Sequence, residues 1–242
     1  MRRQSLKRLA QIIAVSLPAL FVSTSWGYEA GDVANGGKIT GTVKYAGEAP
    51  EMPKIEATKD ADVCGKTEKF DEALAVGDGN GLKNVVVSIT NIEKGKAQAS
   101  EGGILDQKEC LYTPRVVLSP AGAELSILNN DGILHNIHTY SEANPSINKA
   151  QPKFRKEMKQ KFEKPETVRL ECDAHGWMKG WLVVTDHPYY AVTDASGAFE
   201  LADVPAGSYT VKFWHETLGE MTQDVTVEAG GDASVSVEMA QK

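Results

Sequence analysis

Cysteine is scarce in this chain, with three residues in 242, and histidine is hardly commoner, with five. So few imidazoles exclude a multi-copper cluster, and so few thiols speak against a structural zinc site, which favours several cysteines. Positive charge is also short: 26 lysines and arginines face 33 acidic residues, a formal net charge of -7. That balance excludes the basic surface which nucleic acid or anionic lipid would require. Helical periodicity is hard to find, and past the N-terminal stretch no apolar run is long enough to span a bilayer.

The N-terminus does have an apolar run. Arg2, Arg3, Lys7 and Arg8 form a basic stretch, followed over residues 9–22 by an apolar one that Pro18 interrupts. This reads as a secretory signal over residues 1–27 rather than a membrane span. Ser25 and Gly27 put small residues three and one before a cut that would start the mature chain near Tyr28. Since no cysteine stands near the cut, a soluble periplasmic or secreted protein without a transmembrane anchor is expected. The segment Arg2-Arg3-Gln4-Ser5-Leu6-Lys7 also resembles a twin-arginine signal, although Ser5 stands where that pattern prefers an aromatic. Both export routes stay open. Losing four basic residues makes the mature chain more acidic; a basic partner would suit it, and so would the plain need for solubility.

What remains reads as strands. Residues 38–45 alternate strictly, with Ile39, Val43 and Tyr45 on one face. A polar stretch leads to a second strand over residues 82–92, and further ones follow over 115–118, 124–128, 136–140, 167–171 and 181–185. Residues 153–162, rich in lysine, fit either a short amphipathic helix or an exposed loop with an entering strand. From Tyr189 onward short strands repeat between turns at 194–197, 204–207 and 230–231, an antiparallel sandwich pattern holding no cluster of acid, base and nucleophile.

The chemistry concentrates in Cys172-Asp-Ala-His175-Gly-Trp-Met178 and, upstream, His135-Asn136-Ile-His138. A thiolate, two imidazoles and a weak thioether form a ligand set that both Cu(II) and Cu(I) tolerate, whereas a thioether is a poor ligand for Zn(II). Cys172, His175 and Met178 would supply three ligands from one loop. The fourth is His135 or His138; an odd separation puts the two on opposite faces of a strand, so only one can ligate. With Cys172 on the metal, Cys64 and Cys110 are left to form a disulfide in an oxidising compartment, or to remain as two buried thiols.

Two resemblances sharpen this reading. Residues 125–138 together with Cys172-Asp-Ala-His175-Gly-Trp-Met178-Lys-Gly180 resemble the blue copper proteins of the cupredoxin family, amicyanin- and plastocyanin-like, over about residues 104–185. That resemblance implies a Greek-key sandwich and His135, Cys172, His175 and Met178 as ligands of one copper ion. Asn136 would restrain the Cys172 sulfur and the His135 loop. Trp177 would either frame a docking surface around an exposed His175 or pack in the core. Amicyanin-like loops carry prolines beside the loop histidine, where this chain has Ala174 and Gly176.

The turns Thr193-Asp-Ala-Ser-Gly-Ala-Phe199 and Pro205-Ala-Gly-Ser-Tyr209 resemble the carboxypeptidase regulatory-like, or transthyretin-like, β-sandwich. Such domains open with strands like those near Gly41 and Asn84. The expected all-β chain therefore has its sandwich in two parts, residues 36–102 and 186–242, with a cupredoxin unit over 103–185 inserted between them; three consecutive pieces are the alternative. Under the inserted order a Cys64–Cys110 bridge would fix one domain against the other. The expected function is that of a non-enzymatic electron carrier between redox proteins, of the c-type cytochrome or dehydrogenase kind. A copper-holding or delivery protein and an adhesion or scaffold module are the alternatives.

Overall fold

The computed structural model describes residues 27–241; apart from Gly27, the signal expected over 1–27 lies outside them. The fold is nearly all β. Among the described residues helix is confined to the four-residue turn Ala61–Cys64 and two short 3₁₀ segments, and none is long and apolar enough to cross a membrane.

Two sheets come from the middle of the chain. One has the order Asn148–Gln151, His135–Tyr140, Glu166–Glu171, Lys179–Thr185, Val116–Pro120; the other runs Glu157–Lys161, Glu124–Asn129, Ile104–Lys108, Leu111–Thr113. Between them lies a core of Leu105, Leu125, Ile127, Ile137, Val168, Leu170 and Leu182, together with Cys172 and Met178. Residues 153–162 settle as a strand, not a helix: Glu157–Lys161 pairs antiparallel with Glu124–Asn129, and only its alternate residues are half-buried. An edge strand needs apolar residues on one face alone, so Met158 suffices among lysines.

Two further sheets join the ends of the chain. Gly37–Tyr45 pairs with Ala198–Val204 on one side and with Asp232–Ser234 and Val237–Met239 on the other. Val86–Ile89 lies between Tyr190–Val192 and Gly207–His215, with Gly219–Val227 beyond. Their shared core holds Ile39, Val43, Val87, Phe199, Val211 and Phe213. The turn into Ala198–Val204 needs glycine: Gly197 has φ +76, and a Cβ there would stand 2.1 Å from the Val43 carbonyl oxygen.

The strand expected over 82–92 is regular only over Val86–Ile89, all four residues of which are buried, and Asn84 at φ +65 breaks the extended chain ahead of it. Val85, Val87 and Ile89 point into the sandwich just described, whereas Val86 meets Val116 and Val183 of the middle sheets. Trp181 and Trp214 close this second contact edge-to-face at 4.9 Å. Trp181 therefore packs between sheets. Beside it, the Arg115 guanidinium donates to Glu216 Oε2 at 3.0 Å and lies 3.2 Å from Asp71.

His215, for which the sequence suggests no partner, ends the strand Gly207–His215 fully buried. Its Nδ1 accepts the Thr217 amide, so the proton sits on Nε2, which has no hydrogen-bond partner among the described residues. Burial drives its pKa from 6.5 down to about 4. The unfolded chain takes up this proton near pH 6.5 and the folded chain only near 4, so the stabilisation is complete above 6.5 and is lost as pH falls towards 4. The loss should reach ~3 kcal/mol. Denaturation curves at pH 7 and 4.5 check this, since His215→Gln should remove most of the difference; an unchanged difference would contradict it.

Candidate metal centre

The loop 172–178 closes on itself. The Cys172 amide donates to the Met178 carbonyl at 3.1 Å, the His175 amide to the Cys172 carbonyl at 3.2 Å, and the Met178 amide to the His175 carbonyl at 2.9 Å. Glu166–Glu171 delivers Cys172 into this loop and Lys179–Thr185 leaves it, the two strands paired in register. His135 opens the neighbouring strand. Its side chain, with those of Ile137 and Thr139, points inward and is fully buried, whereas His138 and Tyr140 point outward and stack at 4.4 Å. His138 instead meets Asp173 at 3.0 Å and stays outside the cluster.

Three of the expected ligands converge. His135 Nδ1 and His175 Nδ1 lie 3.0 Å apart, and the Cys172 sulfur is 4.0 and 3.8 Å from them. All three side chains are buried. Met178 is fully buried in the same core cluster as Cys172.

The outer nitrogens explain why the inner ones face each other. His135 Nε2 lies 2.8 Å from Asp131 Oδ2, and His175 Nε2 lies 2.8 Å from Asp60 Oδ2. A carboxylate only accepts, so each Nε2 is the donor and each Nδ1 can present a lone pair. Two such lone pairs beside a sulfur repel unless a proton or a cation stands between them. Burial favours the thiol of Cys172, but its contacts with His135 and His175 outweigh it and bring its pKa down to about 6. Burial likewise opposes a charged His135, and Asp131 with Cys172 reverses that and raises it to about 9. The donor set is a soft anion with two oriented imidazoles, each backed by a carboxylate, and it fits a copper ion.

Neighbouring groups hold this arrangement. Asn136 Oδ1 accepts from the Ala174 amide at 3.1 Å and from the Cys172 sulfur at 3.4 Å, while its Nδ2 donates to Asn148. Tyr112 Oη lies 2.6 Å from the Asn136 carbonyl and 3.0 Å from that of Glu171, tying the His135 strand to the Cys172 strand. Asp131 accepts the amides of Glu109 and Cys110 besides His135; burial would raise its pKa, but these bonds bring it below the usual carboxylate value. Cys64 and Cys110 form a disulfide.

The expected exposed edge at His175 is not there. The ring has no accessible surface, because Asp60 covers Nε2 and Trp177 packs 5.2 Å away. Trp177 is itself half-buried and donates Nε1–H to the Cys110 carbonyl at 3.1 Å. The sequence reading missed Asp60, Asp131 and Tyr112. Asp131 alone left a signal, standing four residues before His135 in the connection between two strands.

Residues 181–240 match the family model of the carboxypeptidase regulatory-like domain. No curated protein matches the chain in sequence. Among solved structures it is similar to cupredoxins. An amicyanin variant in its Cu(I) form shares 18% identity, with 41% of this chain and 98% of that one covered and a TM-score of 0.32. A purple cupredoxin from Nitrosopumilus maritimus shares 23%, covering 31% and 82% at 0.27. The copper-containing nitrite reductase from Thermus scotoductus SA-01 shares 21% over 37% of this chain, at 0.31; this chain spans only 24% of that enzyme.

Proposed function

We propose that this is an exported, non-enzymatic copper protein that carries single electrons between redox proteins, its one metal held by Cys172, His135, His175 and Met178. The observation that carries the reading is the convergence of two Nδ1 atoms 3.0 Å apart on the Cys172 sulfur, all of them buried. When bound, copper supplies a one-electron couple.

The chain's own groups do the rest. Asp131 and Asp60 fix both imidazoles in the Nε2–H tautomer, Asn136 restrains the sulfur, and the backbone bonds within 172–178 keep the loop in one conformation. A site that neither rearranges nor admits water needs little reorganisation when charge changes. Complete burial of the ligand atoms also favours a carrier over a delivery protein, which must open its metal to an acceptor. Donor and acceptor would be redox proteins of the c-type cytochrome or dehydrogenase kind, and the export signal would place the exchange in the periplasm or outside the cell. The same reading takes 103–185 as a cupredoxin unit inserted between the two parts of the sandwich, because among the described residues the strands near Gly41 and Val86 pair only with strands beyond Thr185.

Protein-film voltammetry of the copper-loaded protein tests this. One reversible one-electron wave is expected; a protein that binds copper but gives no wave would belong to copper storage.

A further inference from the structure

Residues 53–71 join none of the sheets. They form a strap, closed at its base by the Ile55 amide on the Lys69 carbonyl at 2.9 Å and the Asp71 amide on the Pro53 carbonyl at 2.8 Å. Asp71 meets Arg115, the Lys69 ammonium donates to the Cys64 and Thr67 carbonyls, and Ala57 and Val63 pack on the core that contains Cys172. Asp60, with φ +50, leads into the single helical turn Ala61–Cys64 and sets its carboxylate on His175. One covalent link serves both carboxylates. Cys64 lies at the end of the turn that Asp60 begins, and its partner Cys110 gives its amide to Asp131 at 2.8 Å.

We propose that Asp60 is a positioning residue for His175, and that the disulfide-held strap is a cover closing the metal centre against ligand exchange and against docking at the His175 edge. The inference rests on the metal-site reading above. A carboxylate on Nε2–H fixes the tautomer that aims Nδ1 inward. Its negative charge favours the more positive state of the bound metal, which lowers the reduction potential. Turning His175 out of the site would require breaking this bond and displacing the strap with its disulfide. The acidic groups facing His175 are thus Asp60 from the strap and the Cys172 thiolate from its own loop, while His135 faces it from the neighbouring strand.

The test compares wild type, Asp60→Ala and Asp60→Asn. In the metal-free protein, nitrogen-15 NMR should show a slowly exchanging His175 Nε2–H in wild type and its loss in Asp60→Ala. In the copper-loaded protein, a bidentate Cu(I) chelator should remove the metal about 10- to 100-fold faster from Asp60→Ala, with the potential shifted upward. Asp60→Asn keeps an acceptor but loses the charge, so it should keep the protected N–H and slow removal while sharing the upward shift. A wild-type N–H that exchanges freely, or an Asp60→Ala variant within twofold of wild type in removal rate at an unchanged potential, would overturn the proposal. If the protein takes up no copper at all, the electron-carrier reading fails, and the N–H measurement still decides the role of Asp60.

Discussion

Replacing Cys64 and Cys110 together with serine is expected to lower the free energy of unfolding by about 4 kcal/mol. The bridge spans 46 residues, and a cross-link of that length removes much of the freedom of the unfolded chain. Both sulfurs are fully buried in the core that holds Cys172, so two serine hydroxyls left there without partners add to the loss. The effect should also reach the site, since the strap with Asp60 and the amide of Cys110 both depend on this link. Urea denaturation of the metal-free protein gives the number; a loss below about 1 kcal/mol would contradict it. A thiol reagent should find one reactive sulfur, Cys172, in the unfolded wild type, and three would contradict the bridge.

Arg115→Met should cost about 3–5 kcal/mol, the typical penalty for stranding one partner of a buried ion pair. The side chains of Arg115 and Glu216 are only 10% and 12% exposed. The guanidinium engages Glu216 through two nitrogens and Asp71 through a third, joining the strand Val116–Pro120, the end of Gly207–His215 and the strap. Without it Glu216 is left without its guanidinium partner in a nearly dry position. Arg115→Lys should recover only part of the loss, because an ammonium cannot reproduce the planar fork. Adding Glu216→Gln to Arg115→Met should restore much of the stability, and a double-mutant cycle reads the coupling directly. A coupling under about 0.5 kcal/mol would show that Trp181, Trp214 and the valines around them hold the sheets together unaided.

How much of this was legible in the sequence depends on the range of each contact. Period-two alternation marked the strand at 38–45, and short runs between turns marked many others, though Ile104–Lys108, Leu111–Thr113 and Asn148–Gln151 went unread; the spacing within Cys172-Asp-Ala-His175-Gly-Trp-Met178 placed a thiol and an imidazole together because seven residues cannot take them far apart. Parity alone, which needs only an extended backbone, showed that just one of His135 and His138 could ligate; the choice of His135 came from the cupredoxin resemblance. The lysines of 153–162 hid a strand whose buried face is a single column. The cover over His175 could not be read at all. Asp60 lies 115 residues from its partner, on a strap without periodicity. Asp131 was within reach, yet a carboxylate four residues before a histidine has meaning only once both strands are placed.

The visible absorption spectrum of the mature protein loaded with Cu(II), recorded beside Cys172→Ser, bears most directly on what the chain does. An intense sulfur-to-copper charge-transfer band that bleaches reversibly with a reductant and vanishes in the variant is expected. A colourless loaded protein, or a band that survives the loss of Cys172, would contradict a thiolate-bound electron-transfer copper.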